Sequence, residues 1–192
     1  MDRGTRFFWA LVVALLGASL YFGVNAEAQR RSVQKSEATV ATGDVVSFVR
    51  AVDGDTLLVA NQAGESVAVR LLGIKAFAAG TDKDPTSRFG QAAVDELTSL
   101  VEDKPLRVLL NDPPTDKHGR TLAELFVADQ DVGLQLVRRG LVLVYTVYPF
   151  PSMALYLQEQ EAARAKRLGI WGDAEVAKRA DLQLEQWRRE AR

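Results

Sequence analysis

The sequence predicts an α+β fold: a five-stranded β-barrel of the OB type with packed helices, preceded by a single N-terminal transmembrane helix. Three observations predict it. Runs rich in Val and Leu at 44–52, 55–60, 66–74, 106–110 and 120–128 have the length and spacing of short strands. A helical pattern at 88–102 interrupts them after the third run, and further helical patterns follow the fifth. Three strands, a helix, two strands and then helices is the order of an OB-type barrel. Residues 7–24 form an unbroken stretch without charge.

The apolar stretch FFWALVVALLGASLYFGV would span about 27 Å as a helix, close to the roughly 30 Å of a hydrocarbon core. Aromatic residues stand at both ends, where membrane interfaces favour them. Ala10, Ala14 and Ala18 recur at i, i+4, i+8 and make a small-residue stripe that lets another transmembrane helix approach. A cleaved signal peptide ending near Ala26 and Ala28 is the alternative for residues 1–26. The uncleaved anchor is favoured because the run exceeds the usual apolar region of about 7–15 residues. Arg3 and Arg6 argue for an inside N-terminus and Arg30, Arg31 and Lys35 for the reverse; the favoured expectation is N-terminus inside and the soluble domain outside the cytoplasm, on the periplasmic side.

Residues 27–42 are polar and aperiodic and read as a linker. The domain at 43–172 begins with strands separated by turn signals at Asp53-Gly54 and Ala63-Gly64. The helix at 88–102 carries Ala92, Val94, Leu97, Leu100 and Val101 at helical spacing. A turn-rich loop is expected from Asn111 to Gly119, between the last two strands. Gly140 and Gly169 end helices at 132–139 and 152–168. Residues 173–192 form an amphipathic helix with Asp173 as N-cap and Val176, Ala180, Leu184 and Trp187 on one stripe. That stripe either folds back on the barrel or docks a partner.

Composition excludes several chemistries. The chain of 192 residues has no cysteine, so disulfides, thiolate nucleophiles and Cys-ligated metals are absent. His118 is the single histidine, and its loop position between Lys117 and Gly119 reads as exposed. Residues 42–172 hold 14 Lys and Arg against 17 Asp and Glu, a net charge of −3. Affinity for nucleic acid comes mostly from basic surface, so nucleic acid is not the expected partner.

Four stretches carry a family resemblance: VDGDT at 52–56, VRLLGI at 69–74, TDKHGRTLA at 115–123, and LVRRGLVLV with AKRLGIW at 136–144 and 165–171. On these the chain resembles the thermonuclease family, the staphylococcal-nuclease-like OB-fold nucleases, over residues 44–172. The resemblance implies calcium-assisted attack of water on a phosphodiester. Carboxylates would hold the hard cation, a glutamate would act as general base, and two arginines would grip the phosphate.

Residue by residue, the resemblance matches Asp55 to the first metal-ligand aspartate and Asp53 to its acidic neighbour. Arg70 and Arg120 match the two phosphate arginines, and Tyr148 one pocket tyrosine. The family's Asp-Thr-Pro-Glu is replaced by Lys75-Ala76-Phe77-Ala78. Lys75 therefore stands at the second metal ligand and Ala78 at the catalytic base. Other pocket tyrosines are His118 and Thr146. An ammonium at about 4 Å from a unit charge interacts by roughly 4 kcal/mol at an effective dielectric near 20, and repulsion of a divalent ion would be double. Lys75 is expected to pair with Asp55 or Asp53 instead of a metal.

No intact catalytic set and no cofactor are expected; calcium is the alternative. Arg70, Arg120 and Tyr148 either bind a phosphate-bearing ligand or are kept for structure. Asp82 and Asp84 are candidate replacement carboxylates, and Phe150, Met153 and Tyr156 either core or an exposed patch. The expected role is a membrane-anchored, non-catalytic accessory subunit of a membrane-protein complex, contacting its partners through Ala10, Ala14 and Ala18 and through Val176, Leu184 and Trp187. A calcium-dependent nuclease with an altered site and a phosphate-binding module are the alternatives.

Overall fold

The structure, a computed structural model, describes residues 39–80 and 84–191. The expected anchor with Ala10, Ala14 and Ala18, most of the linker, and Asp82 lie outside the described residues. Among the described residues no helix is long and apolar enough to cross a membrane.

Five strands close a mixed barrel. They are β1 (Val45–Asp53), β2 (Thr56–Ala60), β3 (Ser66–Leu71), β5 (Pro105–Thr115) and β6 (Thr121–Val127). The order β3-β2-β1-β5-β6 is antiparallel throughout, and a parallel pairing of β3 with β6 closes the ring. Two register shifts in β1, at Phe48/Arg50 and Ala51/Asp53, bend it around the barrel. Short strands β4 (Ile74–Lys75) and β8 (Leu143–Val144) pair separately, and β7 (Gln130–Asp131) pairs antiparallel with the end of β6.

Alternate residues of the strands point inward. Leu57, Val59, Val67, Val69, Leu106, Val108 and Leu125 are buried and form the barrel core. Helix α1 (Ser87–Val101) covers it with Ala93, Leu97 and Val101. The β1–β2 turn runs close beneath this helix. A Cβ on Gly54 would lie 2.6 Å from that of Ala93 and 2.8 Å from that of Ala76. Only glycine permits that approach, and it sets Asp55 inside the fold.

Helix α2 (Val132–Arg138) is capped by Asp131, which accepts a hydrogen bond from the Leu134 N–H at 3.2 Å. Helix α3 (Met153–Ala165) packs on α2 and leads through a 3-10 turn (Gly169–Gly172) to α4 (Ala174–Glu190). Phe150 and Tyr156 are buried, so this segment is core and not an exposed patch.

Three expectations are corrected. Of the two readings of the α4 stripe the fold-back holds and the docking face falls: Val176, Ala180, Leu184 and Trp187 are buried against Leu143, Ala163, Ile170 and Trp171 of the same chain. The apolar stripe is satisfied within the molecule, so it offers no free face. Strand β5 runs on to Thr115 where a loop was expected, with a register shift between Leu110 and Thr115. The end of the linker belongs to the barrel: Val40 packs on the core, and Thr42 Oγ1 accepts a hydrogen bond from the Leu110 N–H at 3.0 Å.

Candidate functional site

One end of the barrel opens into a cleft of about 800 Å³. Strand ends and the following loops supply its floor. Arg70 comes from β3, Lys75 from β4, and Arg120 from the turn before β6, so the fold brings together three of the residues singled out from sequence. Tyr148 stands at the rim, 70% exposed. Trp187 of α4 closes one side and meets Tyr145 edge-on, ring centroids 4.9 Å apart.

Asp55 is fully buried at the base of this arrangement. Its Oδ1 accepts from the Thr56 hydroxyl at 3.1 Å and pairs with the Arg70 guanidinium. Its Oδ2 accepts from the Ala76 N–H at 2.8 Å and pairs with Lys75 Nζ at 3.4 Å. Asp53 is turned to the backbone and accepts from the Asp55 N–H at 2.9 Å. The pairing expected of Lys75 therefore falls on Asp55.

Arg70 is nearly buried. It also donates to the carbonyls of Ile74 at 2.8 Å and Asp55 at 3.4 Å. Burial, with the nearby Arg120 charge, lowers its pKa to about 10, partly opposed by Asp53. The same two influences, burial and neighbouring guanidinium charge from Arg70 and Arg120, pull the Lys75 ammonium below its ordinary value, again against Asp53. Arg120 is held by Asp116 through its Nε at 2.8 Å and lies 3.4 Å from the Thr56 hydroxyl. Burial pushes the Asp116 carboxyl up, but hydrogen bonds from Arg120 and from the His118 backbone outweigh this and hold it below the ordinary value. Both guanidinium groups are thus committed to internal partners.

No carboxylate stands at the position matched to the family's general base, while Asp112, Asp116 and His118 line the cleft elsewhere. Ala78 lines the cleft with a methyl group. Asp84 does not supply a replacement ligand: it accepts from the Thr86 N–H at 3.0 Å and pairs with Arg179 at 2.7 Å. Among the described residues no three His, Cys, Asp or Glu side chains gather where they could hold a metal. Calcium takes about six to eight oxygen ligands, and the site has one buried carboxylate already paired with two cations. The residues present do not fit calcium.

His118 is exposed on the loop, as read from sequence. Sequence reasoning missed Tyr145, Gln183 and the cleft role of Trp187. The aromatic spacing of YTVY was the signal for Tyr145; nothing in the sequence placed α4 beside the cleft.

A closed mixed barrel carrying an aspartate–arginine floor defines the class as an OB-type nuclease-like domain. Residues 68–173 match the family model of the staphylococcal nuclease homologues, and the chain belongs to that family. It is 32% identical to a Haemophilus influenzae protein described as an uncharacterized endonuclease, over 74% of this chain and 71% of that one. It is 27% identical to the thermonuclease of Staphylococcus intermedius, over 71% of this chain and 82% of that one. A micrococcal nuclease of Shigella flexneri is 30% identical over 65% of this chain and 72% of its own length.

Proposed function

We propose that this chain is a non-catalytic member of the family, held to a membrane by residues 7–24 with its barrel on the periplasmic side, and that it serves as an accessory subunit of a membrane-protein complex. One observation carries the non-catalytic reading. Asp55, the carboxylate matched to the first metal ligand, spends its oxygens on Arg70, Lys75, Thr56 and the Ala76 N–H. With Ala78 at the position of the base, the glutamate through which the family would gain about 10²–10⁴-fold by general-base catalysis is gone from its place. The uncharged run at 7–24 supports the anchor, and the Ala10, Ala14 and Ala18 stripe supports a transmembrane partner. With the α4 stripe folded inward, partner contacts fall to the transmembrane segment and the outer barrel surface.

The names of the relatives point to nuclease activity, so the decisive experiment measures it. Purified full-length protein is incubated with plasmid and with RNA, in calcium and in EDTA, with Arg120→Ala as control. No arginine-dependent cleavage is expected; such cleavage would overturn the reading. Detergent extraction followed by size-exclusion chromatography tests the subunit role. Co-elution with other membrane proteins supports it, and elution as a lone monomer refutes it.

A second reading, a phosphate-binding module without cleavage, is favoured by the cleft itself. Arg70, Lys75, Arg120 and Tyr148 line a space large enough for a small phosphate ester. Salt-dependent binding of a short oligonucleotide, lost in Arg120→Ala, distinguishes it.

A further inference from the structure

A carboxylate offers about four lone-pair positions to donors. In Asp55 all are in use. Oδ1 takes the Thr56 hydroxyl and Arg70, and Oδ2 takes the Ala76 N–H and Lys75. Two of these donors are consecutive residues, Lys75 at the end of β4 and Ala76 just beyond it. Lys75 brings its ammonium and Ala76 its backbone N–H to the same oxygen. Strand β4 is itself fixed by its pairing with β8, where Lys75 lies opposite Leu143. The lysine is therefore delivered to Asp55 by the backbone. A compact ammonium with three donors suits such a place.

We infer that Lys75 is a tethered counter-ion standing in place of a divalent cation, so that the β1–β2 turn and β4 are clamped with no metal and the site has no affinity for one. A monovalent ammonium balances one carboxylate shared with Arg70, whereas a divalent ion would meet two cations and, in Asp55, a carboxylate with no free lone pair, the Asp53 carboxylate being turned to the Asp55 N–H. The disagreement between this site and calcium is thus built into one side chain. Replacing that side chain by a carboxylate would release Oδ2 of Asp55 and add a second acidic ligand beside it.

The inference rests on the non-catalytic reading of the cleft, and its test fails separately. Full-length wild type, Lys75→Asp and Lys75→Met are compared by thermal unfolding with calcium or EDTA. Terbium emission sensitised by Tyr145, Tyr148 and Trp187 is measured in parallel. Wild type and Lys75→Met should show no calcium-dependent shift in the unfolding midpoint and no saturable emission. Lys75→Asp should show both, reversed by EDTA. Lys75→Glu takes its place should Lys75→Asp not fold. Saturable calcium stabilisation of wild type overturns the inference, as does a folded carboxylate variant silent in both assays. Cleavage of nucleic acid by wild type in EDTA would instead overturn the non-catalytic reading and leave the role of Lys75 standing.

Discussion

Trp187 meets Tyr145 edge-on, with ring centroids 4.9 Å apart and planes at 86°. The contact joins a helix outside the family-matched residues to the wall of the cleft. Trp187 is also buried among Leu143, Ile170 and Trp171. Trp187→Ala removes a large aromatic from a packed cluster and should cost about 3–5 kcal/mol. Urea unfolding followed by circular dichroism measures it. Leu182, on the same helix but 59% exposed, is the control; Leu182→Ala should stay within about 0.5 kcal/mol.

The glycine that ends α2 and the one that opens the 3-10 turn make a second test. Gly140 (φ +66°) and Gly169 (φ +51°) sit backbone against backbone, and the Ile170 N–H donates to the Gly140 carbonyl at 2.8 Å. A Cβ on Gly140 would fall 2.4 Å from the Leu168 carbonyl oxygen. Gly140→Ala should therefore cost more than the about 1–2 kcal/mol of left-handed backbone alone. Gly64 has φ +80° with nothing within 4 Å of an added Cβ, so Gly64→Ala should show the backbone cost and no more. Comparing the two midpoints in denaturant isolates the steric part.

Much of this architecture was legible because it rests on local signals. Asp53-Gly54 marked the first hairpin, and the stripe through Leu97 and Val101 marked α1. Gly140 marked the end of α2 because left-handed caps favour glycine, whereas α3 ends at Ala165 with Arg167 in the left-handed region and Gly169 opens the 3-10 turn. What failed or stayed open was non-local. The stripe of Val176, Leu184 and Trp187 announces that a partner surface exists, but periodicity does not say whether it lies in the same chain. The stretch from Asn111 to Gly119 read as a turn-rich loop, yet β5 runs on to Thr115; the pairing skips from Leu110 to Thr115, so no ladder bond is asked of Pro113 and Pro114. At the site, side-chain identities exposed the loss of ligands at Lys75 and Ala78. The Ala76 N–H contact to Asp55 was invisible, since a backbone donor leaves no mark on the sequence.

Stability should depend on pH through groups of opposite sign, of which Glu124, raised together with Asp131, and Asp116, lowered, are the pair to compare. Burial, with the nearby Asp131 charge, raises the Glu124 carboxyl above its ordinary value near 4.5, against a hydrogen bond from Ser152. A raised folded pKa means the native state holds its proton more tightly than the unfolded chain. The contribution is complete below about 4.5 and is lost as pH rises through the higher folded value. Asp116 is lowered, so its contribution is present above its ordinary value and lost as pH falls through the folded one. Glu124→Gln should flatten the decline on the upper side and leave the acid limb intact. Asp116→Asn should do the reverse. Unfolding midpoints taken from pH 3 to pH 8 (a range of about five units spanning both ordinary carboxyl values) separate them.

The clamp around Asp55 makes an asymmetric prediction about its members. The side chains of Asp55 and Arg70 are 1% and 11% exposed, whereas that of Lys75 is 49% exposed. Removing Asp55 leaves the Arg70 guanidinium buried with only the Ile74 and Asp55 carbonyls for partners, and an uncompensated buried charge costs about 3–5 kcal/mol. Removing Lys75 leaves Asp55 paired with Arg70 and still bonded to Thr56 and the Ala76 N–H. A half-exposed pair of this kind is worth about 0–1 kcal/mol. Asp55→Ala should therefore destabilise the barrel severalfold more than Lys75→Ala in urea unfolding. Equal losses would mean that the ammonium, and not the guanidinium, is the principal partner of the buried carboxylate.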